Sequence, residues 1–208
     1  MTKKYNSVLI IGMGLIGSSI SRALVENHVA NSVYGLDTND KIIKKCHDLN
    51  LLVQGETNLK NFDLQFDLII ICTPLSAYKN IFSSLSDFIS QPTLITDVGS
   101  TKMSTISDFK NAVTNTNITF VPSHPIAGLE KSGPEYGFSK LFDNRYCILT
   151  PYETNDAATS SISEMWKSIG MTVELMEADR HDRVLAMTSH IPQLIAFSVV
   201  GTATELES

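Results

Sequence analysis

The chain is poor in the features that mark several large functional classes. Basic charge is scarce: 16 Lys and Arg stand against 22 Asp and Glu, for a net charge of −6, and no basic cluster offsets it. Such a chain is repelled by nucleic-acid phosphates and by anionic lipid headgroups, so neither is an expected partner. Cysteine is nearly absent. Cys46, Cys72 and Cys147 are odd in number, far apart and without a CxxC spacing, the pattern of buried reduced thiols in a cytoplasmic protein rather than of a disulfide framework. No apolar run approaches the ~18 residues of a membrane span, so none is expected, and the N-terminus lacks the apolar stretch of a signal peptide. The five histidines and three cysteines show no metal-ligand spacing, and there is no GxSxG nucleophile elbow. Internal repeats and low-complexity tracts are missing too. What remains is an ordinary globular composition over 208 residues, enough for one full core and part of a second.

What is present is concentrated near the start. Val8-Leu9-Ile10-Ile11 is a short, β-branched apolar run, as in a strand buried on both faces. Gly12-Met13-Gly14-Leu15-Ile16-Gly17 follows at once, and the apolar residues then recur at helical spacing through Ile20, Ala23 and Leu24. In a strand–GxGxxG–helix unit the three glycines do different things. Gly12 makes the tight turn, Gly14 lets a pyrophosphate approach, and Gly17 lets helix and strand pack closely. The helix N-terminus at Leu15 and Ile16 offers unpaired N–H groups to the phosphates. A second strand, Val33-Tyr34-Gly35-Leu36, ends in Asp37, 20 residues beyond Gly17, where an acid would hold the ribose hydroxyls and repel a 2′-phosphate. No Arg follows it. The expected cofactor is NAD rather than NADP.

Strands and helices then alternate. Apolar strands are expected at 67–72, 93–98 and 118–121, with helices at 41–49, 77–89 and 103–112; residues 145–149 and 171–176 are expected to complete the sheet around a helix at 156–168. This order predicts an α/β, Rossmann-type, doubly wound and mostly parallel sheet with ligands at the carboxyl ends of its strands. Residues 126–142 form a long glycine-bearing connection, a length that is usually either functional or disordered. From about Asp179 one long helix runs to the last residue, and Pro192 must kink or break it. The soft boundary near Ala178 divides a cofactor domain (1–177) from the first helix of an all-helical unit (178–208).

Three strand ends face the cofactor mouth: Thr73-Pro74, Gly99-Ser100 and Ser123-His124. Oxidation of an alcohol by a nicotinamide needs a base for the hydroxyl proton, and His is best poised for that near neutral pH. His124 can be that base or a hydrogen-bonded structural residue. Ser100 can hold its other ring nitrogen or cap the following helix. His190 can face a substrate or a solvated surface, and His181 and Asp182 can serve the start of the long helix electrostatically. His28 and His47 look structural.

These residues resemble a known family. Gly12 to Gly17 with Ser18-Ser19-Ile20, Thr73-Pro74, Asp97-Val98-Gly99-Ser100-Thr101-Lys102, Ser123-His124-Pro125-Ile126-Ala127-Gly128-Leu129-Glu130-Lys131-Ser132-Gly133, His181-Asp182 and Ser189-His190-Ile191-Pro192 are similar to prephenate/arogenate dehydrogenases of tyrosine biosynthesis. The resemblance implies NAD-dependent oxidative decarboxylation of prephenate or arogenate. It makes His124 the base and Ser100 its orienting neighbour beside the nicotinamide. Gly12, Gly14, Leu15, Ile16, Gly17, Asp37, Thr73, Pro74, Gly99 and Ser100 would hold the cofactor, and Ser123, Gly128, Glu130, Lys131, Ser132 and His190 the substrate. Relatives that use prephenate often have a second His where this chain has Gln193. They also continue past position 208 into a helical dimerisation domain with a carboxylate-binding Arg, so a homodimer through the last helix and weak turnover are expected. The rival readings are another Rossmann dehydrogenase for β-hydroxy or imino acids and a non-catalytic NAD-binding module.

Overall fold

The computed structural model describes residues 5–206, with the backbone alone at His190, Gln193 and 201–206. Strand β1 (Tyr5–Ile11) lies at the centre of a six-stranded sheet. Its neighbours are β2 (Ala30–Leu36) and β4 (Leu68–Ile71); β3 (Gln54–Glu56) lies outside β2, and β5 (Thr93–Asp97) and β6 (Ile118–Phe120) lie beyond β4. The order is β3-β2-β1-β4-β5-β6, and every pairing is parallel. Alternation along β1 sends Val8 and Ile10 into one apolar cluster and Leu9 and Ile11 into the other. The first cluster is closed by α1 (Leu15–Glu26), α2 (Asp40–Asp48) and α5 (Asp156–Ser168), through Ile20, Ile43 and Trp166. The second is closed by α3 (Tyr78–Phe88) and α4 (Met103–Ala112), whose Phe82 and Phe109 meet Phe120 edge-on and stacked. β3 is a strand that sequence periodicity missed. It is three residues long and only half-buried, held by its pairing with β2.

The expected single sheet divides in two. β7 (Ser123–Pro125), β8 (Tyr146–Leu149) and β9 (Thr172–Leu175) form a separate three-stranded sheet, with β7 antiparallel and β9 parallel to β8. The reason lies at Pro122. Val121 still donates its N–H to Ile95, but Pro122 has no N–H to continue the ladder. Its carbonyl accepts from Thr150 instead, and the chain is handed to β8. The 126–142 connection is also half structural: two 3₁₀ turns, Pro134–Tyr136 and Ser139–Phe142, pack on α1, with Phe138 N–H on Ser19 Oγ at 3.1 Å and Lys45 on Glu135 at 2.6 Å.

The last helix is interrupted as Pro192 requires. α6 (Ala178–Leu185) passes through one π turn, Ala186–His190, into α7 (Ile191–Leu206). The proline ring would collide with the carbonyl four residues back, and the widened turn relieves this. Against the expectation that no segment would qualify, Ala178–Val200 is 23 residues long and, by length and composition, apolar enough to cross a membrane. Ala178, His181 and Leu185 are buried, whereas Leu194, Ile195, Phe197, Val199 and Val200 are exposed.

Candidate functional site

The glycine turn opens onto a cleft of about 1000 Å³ lined by Gly12, Gly14, Asp37, Thr73 and Pro74, with Leu59, Ile81 and Leu85 on its apolar wall. Gly12 has φ +94°, and a Cβ there would press on the Cys72 carbonyl. A Cβ on Gly17 would run into the Gly12 carbonyl, whereas one on Gly14 meets nothing within 4 Å. Gly17 therefore serves packing, and Gly14 leaves room for a ligand. α1 starts at Leu15 with no side chain capping it and no acid in its first turn, so its positive end is left for an anion. Asp37 is preorganised: Oδ2 accepts from Met13 N–H and Oδ1 from Asn39 N–H, each at 2.9 Å. Thr73 Oγ1 is buried without a hydrogen-bond partner among the described residues, a donor and acceptor left for something in the cleft.

Beyond the β5 end lies a polar cluster. Lys102 is fully buried; its Nζ donates to Asp97 Oδ2 and to the Ser123 carbonyl, both at 2.6 Å. Burial pulls its pKa below the usual lysine range, against the pull of Asp97. Asp97 also accepts from the N–H groups of Ser123 and Gly99. Ser123 Oγ donates to the Asp97 carbonyl, lies 2.9 Å from Thr96 Oγ1 and accepts from Trp166 Nε1 at 3.2 Å. The next residue, His124, is half-buried, and its Nδ1 lies 3.0 Å from Nε2 of buried His181. His181 Nδ1 lies 2.8 Å from Asp182 Oδ1. Asp182 in turn accepts from the N–H groups of Lys102 and Met103, at 2.8 and 2.9 Å, so it caps α4 from another element.

Residues 20–175 match the family model described as "Prephenate dehydrogenase, nucleotide-binding domain". The chain belongs to the prephenate dehydrogenase family. Its curated relatives include the cyclohexadienyl dehydrogenase of Zymomonas mobilis, 34% identical over 98% of this chain and 69% of that protein. The prephenate dehydrogenase of Bacillus subtilis is 31% identical over 96% and 54%. The Aquifex aeolicus prephenate dehydrogenase solved with hydroxyphenyl propionate and NAD⁺ has a TM-score of 0.90 at 32% identity, over 97% of this chain and 70% of that one. The chain thus spans between about half and 70% of these relatives' lengths.

In this member of the family the expected residues divide by position. Gly12, Gly14, Asp37, Thr73 and Pro74 meet in the cleft, and Leu15 and Ile16 begin α1 beside it. Gly99 and half-buried Ser100 form the turn after β5. Ser123, expected to touch substrate, turns its hydroxyl into the core, where it joins β5, β7 and α5. Of the two readings open for Ser100, the helix cap is filled instead by Asp182, which holds the first N–H groups of α4. Gly128, Glu130, Lys131 and Ser132 lie exposed on the limb that leaves β7. The side chain of His190 lies outside the described residues. Sequence reasoning missed His181 as the neighbour of His124 and Lys102 as a buried cation. The adjacent His181-Asp182 pair within the family-like blocks was the available signal.

Proposed function

We propose that this chain is the cofactor-binding, base-carrying part of an NAD-dependent dehydrogenase that oxidatively decarboxylates prephenate or arogenate. Residues 1–177 would form the cofactor domain, and the helix from 178 would begin the next unit. The observation that carries the reading is that His124 lies within β7, whose Ser123 is hydrogen-bonded to Asp97 at the end of β5, in a family member whose Gly12–Gly17 turn, Asp37 and Thr73 fit a dinucleotide. NAD, when bound, supplies the hydride acceptor. His124 takes the hydroxyl proton from the ring carbinol; the electrons of the bond to the departing carboxylate enter the ring, which becomes aromatic as CO₂ leaves. The protein's work is therefore deprotonation and positioning. Gly128, Glu130, Lys131 and Ser132 would wall the substrate pocket, and His190 would face it from the helix.

The deciding assay measures turnover with prephenate and with arogenate beside NAD titration. NAD binding without turnover of either would favour a non-catalytic module, and turnover of a β-hydroxy acid instead would favour another dehydrogenase. His124→Asn should lower kcat by about 10²–10⁴-fold with NAD affinity nearly unchanged. A variant within threefold of the parent would mean that another group takes the proton.

The exposed stripe of α7 points to a homodimer in which the same helix of a second copy covers it. A bilayer is the poorer occupant. His181 and Asp182 tie α6 to the sheet unit, and the 16 residues of α7 span only about 24 Å against the ~30 Å of a hydrocarbon core.

A further inference from the structure

We infer that Asp182, acting through His181, fixes the tautomer of His124 and so makes its Nε2 the proton-accepting atom of the site; the inference rests on the reading of His124 as the base. A carboxylate can only accept, so His181 Nδ1, 2.8 Å from Asp182 Oδ1, must carry a proton. Burial holds the His181 pKa below the ordinary histidine range, against the attraction of Asp182, so the ring is neutral and its Nε2 is bare. His124 Nδ1, 3.0 Å from that nitrogen, must then be the donor. Neutral His124 with its proton on Nδ1 presents a lone pair at Nε2.

The relay is polarised by its far end. Burial disfavours the Asp182 anion, but the N–H groups of Lys102 and Met103, with His181, hold its pKa below the usual carboxylate range. The other ionisable groups facing the pair are Lys102 in the β5–α4 turn, Asp97 on β5 and Cys147 on β8. Lys102 and Asp97 offset each other at 2.6 Å, and burial keeps the Cys147 thiol protonated. Asp182 is the charge that acts on the histidines. Its two oxygens also hold the first N–H groups of α4, next to the turn that carries Ser100. Docking of α6, the start of α4 and the protonation of His124 therefore form one unit. Its anchor lies outside residues 20–175, the segment matched as the nucleotide-binding domain. Asp182 and His181 are positioning residues.

The test uses the 208-residue chain, ¹⁵N-labelled, with long-range ¹H–¹⁵N spectra of the histidine rings recorded above their titration. The parent should show His124 with its proton on Nδ1 and a bare Nε2. Asp182→Asn can present an amide N–H to His181 and should move His124 toward the Nε2–H form. His181→Phe leaves Asp182 on α4, should cause the same shift, and serves if the first variant does not fold. In turnover, both variants should lose about 100-fold or more in kcat, with KM changed less than about threefold and NAD affinity unchanged. In Asp182→Asn, loss of the anion should also move the acid limb of the kcat/KM profile to lower pH. Asp179→Asn, which breaks the exposed pair with Arg183 in the same helix, should change none of these. An Nε2–H tautomer in the parent, or an unshifted His124 in both variants, would overturn the relay. A parent with the expected tautomer but no turnover would leave the relay standing and remove the proposed function.

Discussion

Lys102 is the residue on which the polar cluster depends most. It is enclosed completely, and its ammonium is the counter-charge of an equally buried Asp97. Removing one partner of such a pair leaves the other ionised in a low-dielectric site, which costs about 3–5 kcal/mol. Lys102→Met should therefore lower the unfolding free energy by roughly that amount in urea titration. A loss under about 1 kcal/mol would show that Asp97 is neutralised or rehydrated without it. Asp37 is a simpler case. Its carboxylate lies in the cleft, oriented by two backbone N–H groups, and a 2′-phosphate would meet it directly. Discrimination for NAD over NADP should reach at least about tenfold, or about 1.4 kcal/mol, and Asp37→Ser should narrow it. Isothermal titration with both dinucleotides measures it, and equal dissociation constants would refute it.

At the scale of elements, α6 is held on the sheet unit by two polar residues and a few apolar ones, so its docking should respond to pH. The folded-state pKa of His181 lies below its ordinary value of 6.5, chiefly through burial. The unfolded chain then binds the proton more readily. Stability rises with pH across the interval between the two pKa values, because more protons are bound in the unfolded state there. The contribution is complete above about pH 6.5 and is lost as the pH falls toward the folded value. Urea midpoints should drop between neutral and mildly acidic buffer, and His181→Phe should flatten that dependence. A midpoint that rises on acidification, or a slope unchanged in the variant, would contradict the buried neutral ring.

For the whole molecule, the weight of apolar exposure falls on α7, with Leu194 66% and Phe197 67% accessible. Side chains of this size aligned on one helix are normally covered. Light scattering should report a dimer at micromolar concentration, and Leu194→Glu with Phe197→Glu should produce monomers. A well-behaved monomeric parent would refute the proposed interface. The sheet unit should keep its NAD affinity in the double variant, because the cleft at Gly12, Asp37 and Thr73 is built from other elements.

The sequence by itself determined the cofactor turn, the acid that ends β2 and the parallel α/β order of the first sheet. It put His124 at a strand end, whereas the structure places it inside β7 of the second sheet. The first three are local demands. A positive φ at Gly12, a missing Cβ at Gly17 and an apolar period along a strand or helix are each satisfied within about ten residues of chain. Met103–Ala112 and Asp156–Ser168 were legible as helices to the residue for the same reason. Only the tertiary structure decided that Pro122 passes the chain to a second sheet, that the Ser123 hydroxyl turns inward, and that Lys102 is buried. It also decided that His124 meets His181, 57 residues further along. Composition and periodicity specify which face of an element is apolar. They do not specify which polar groups meet when those faces close, because that depends on the crossovers, which bring distant strand ends and helix starts to the same edge of the sheet.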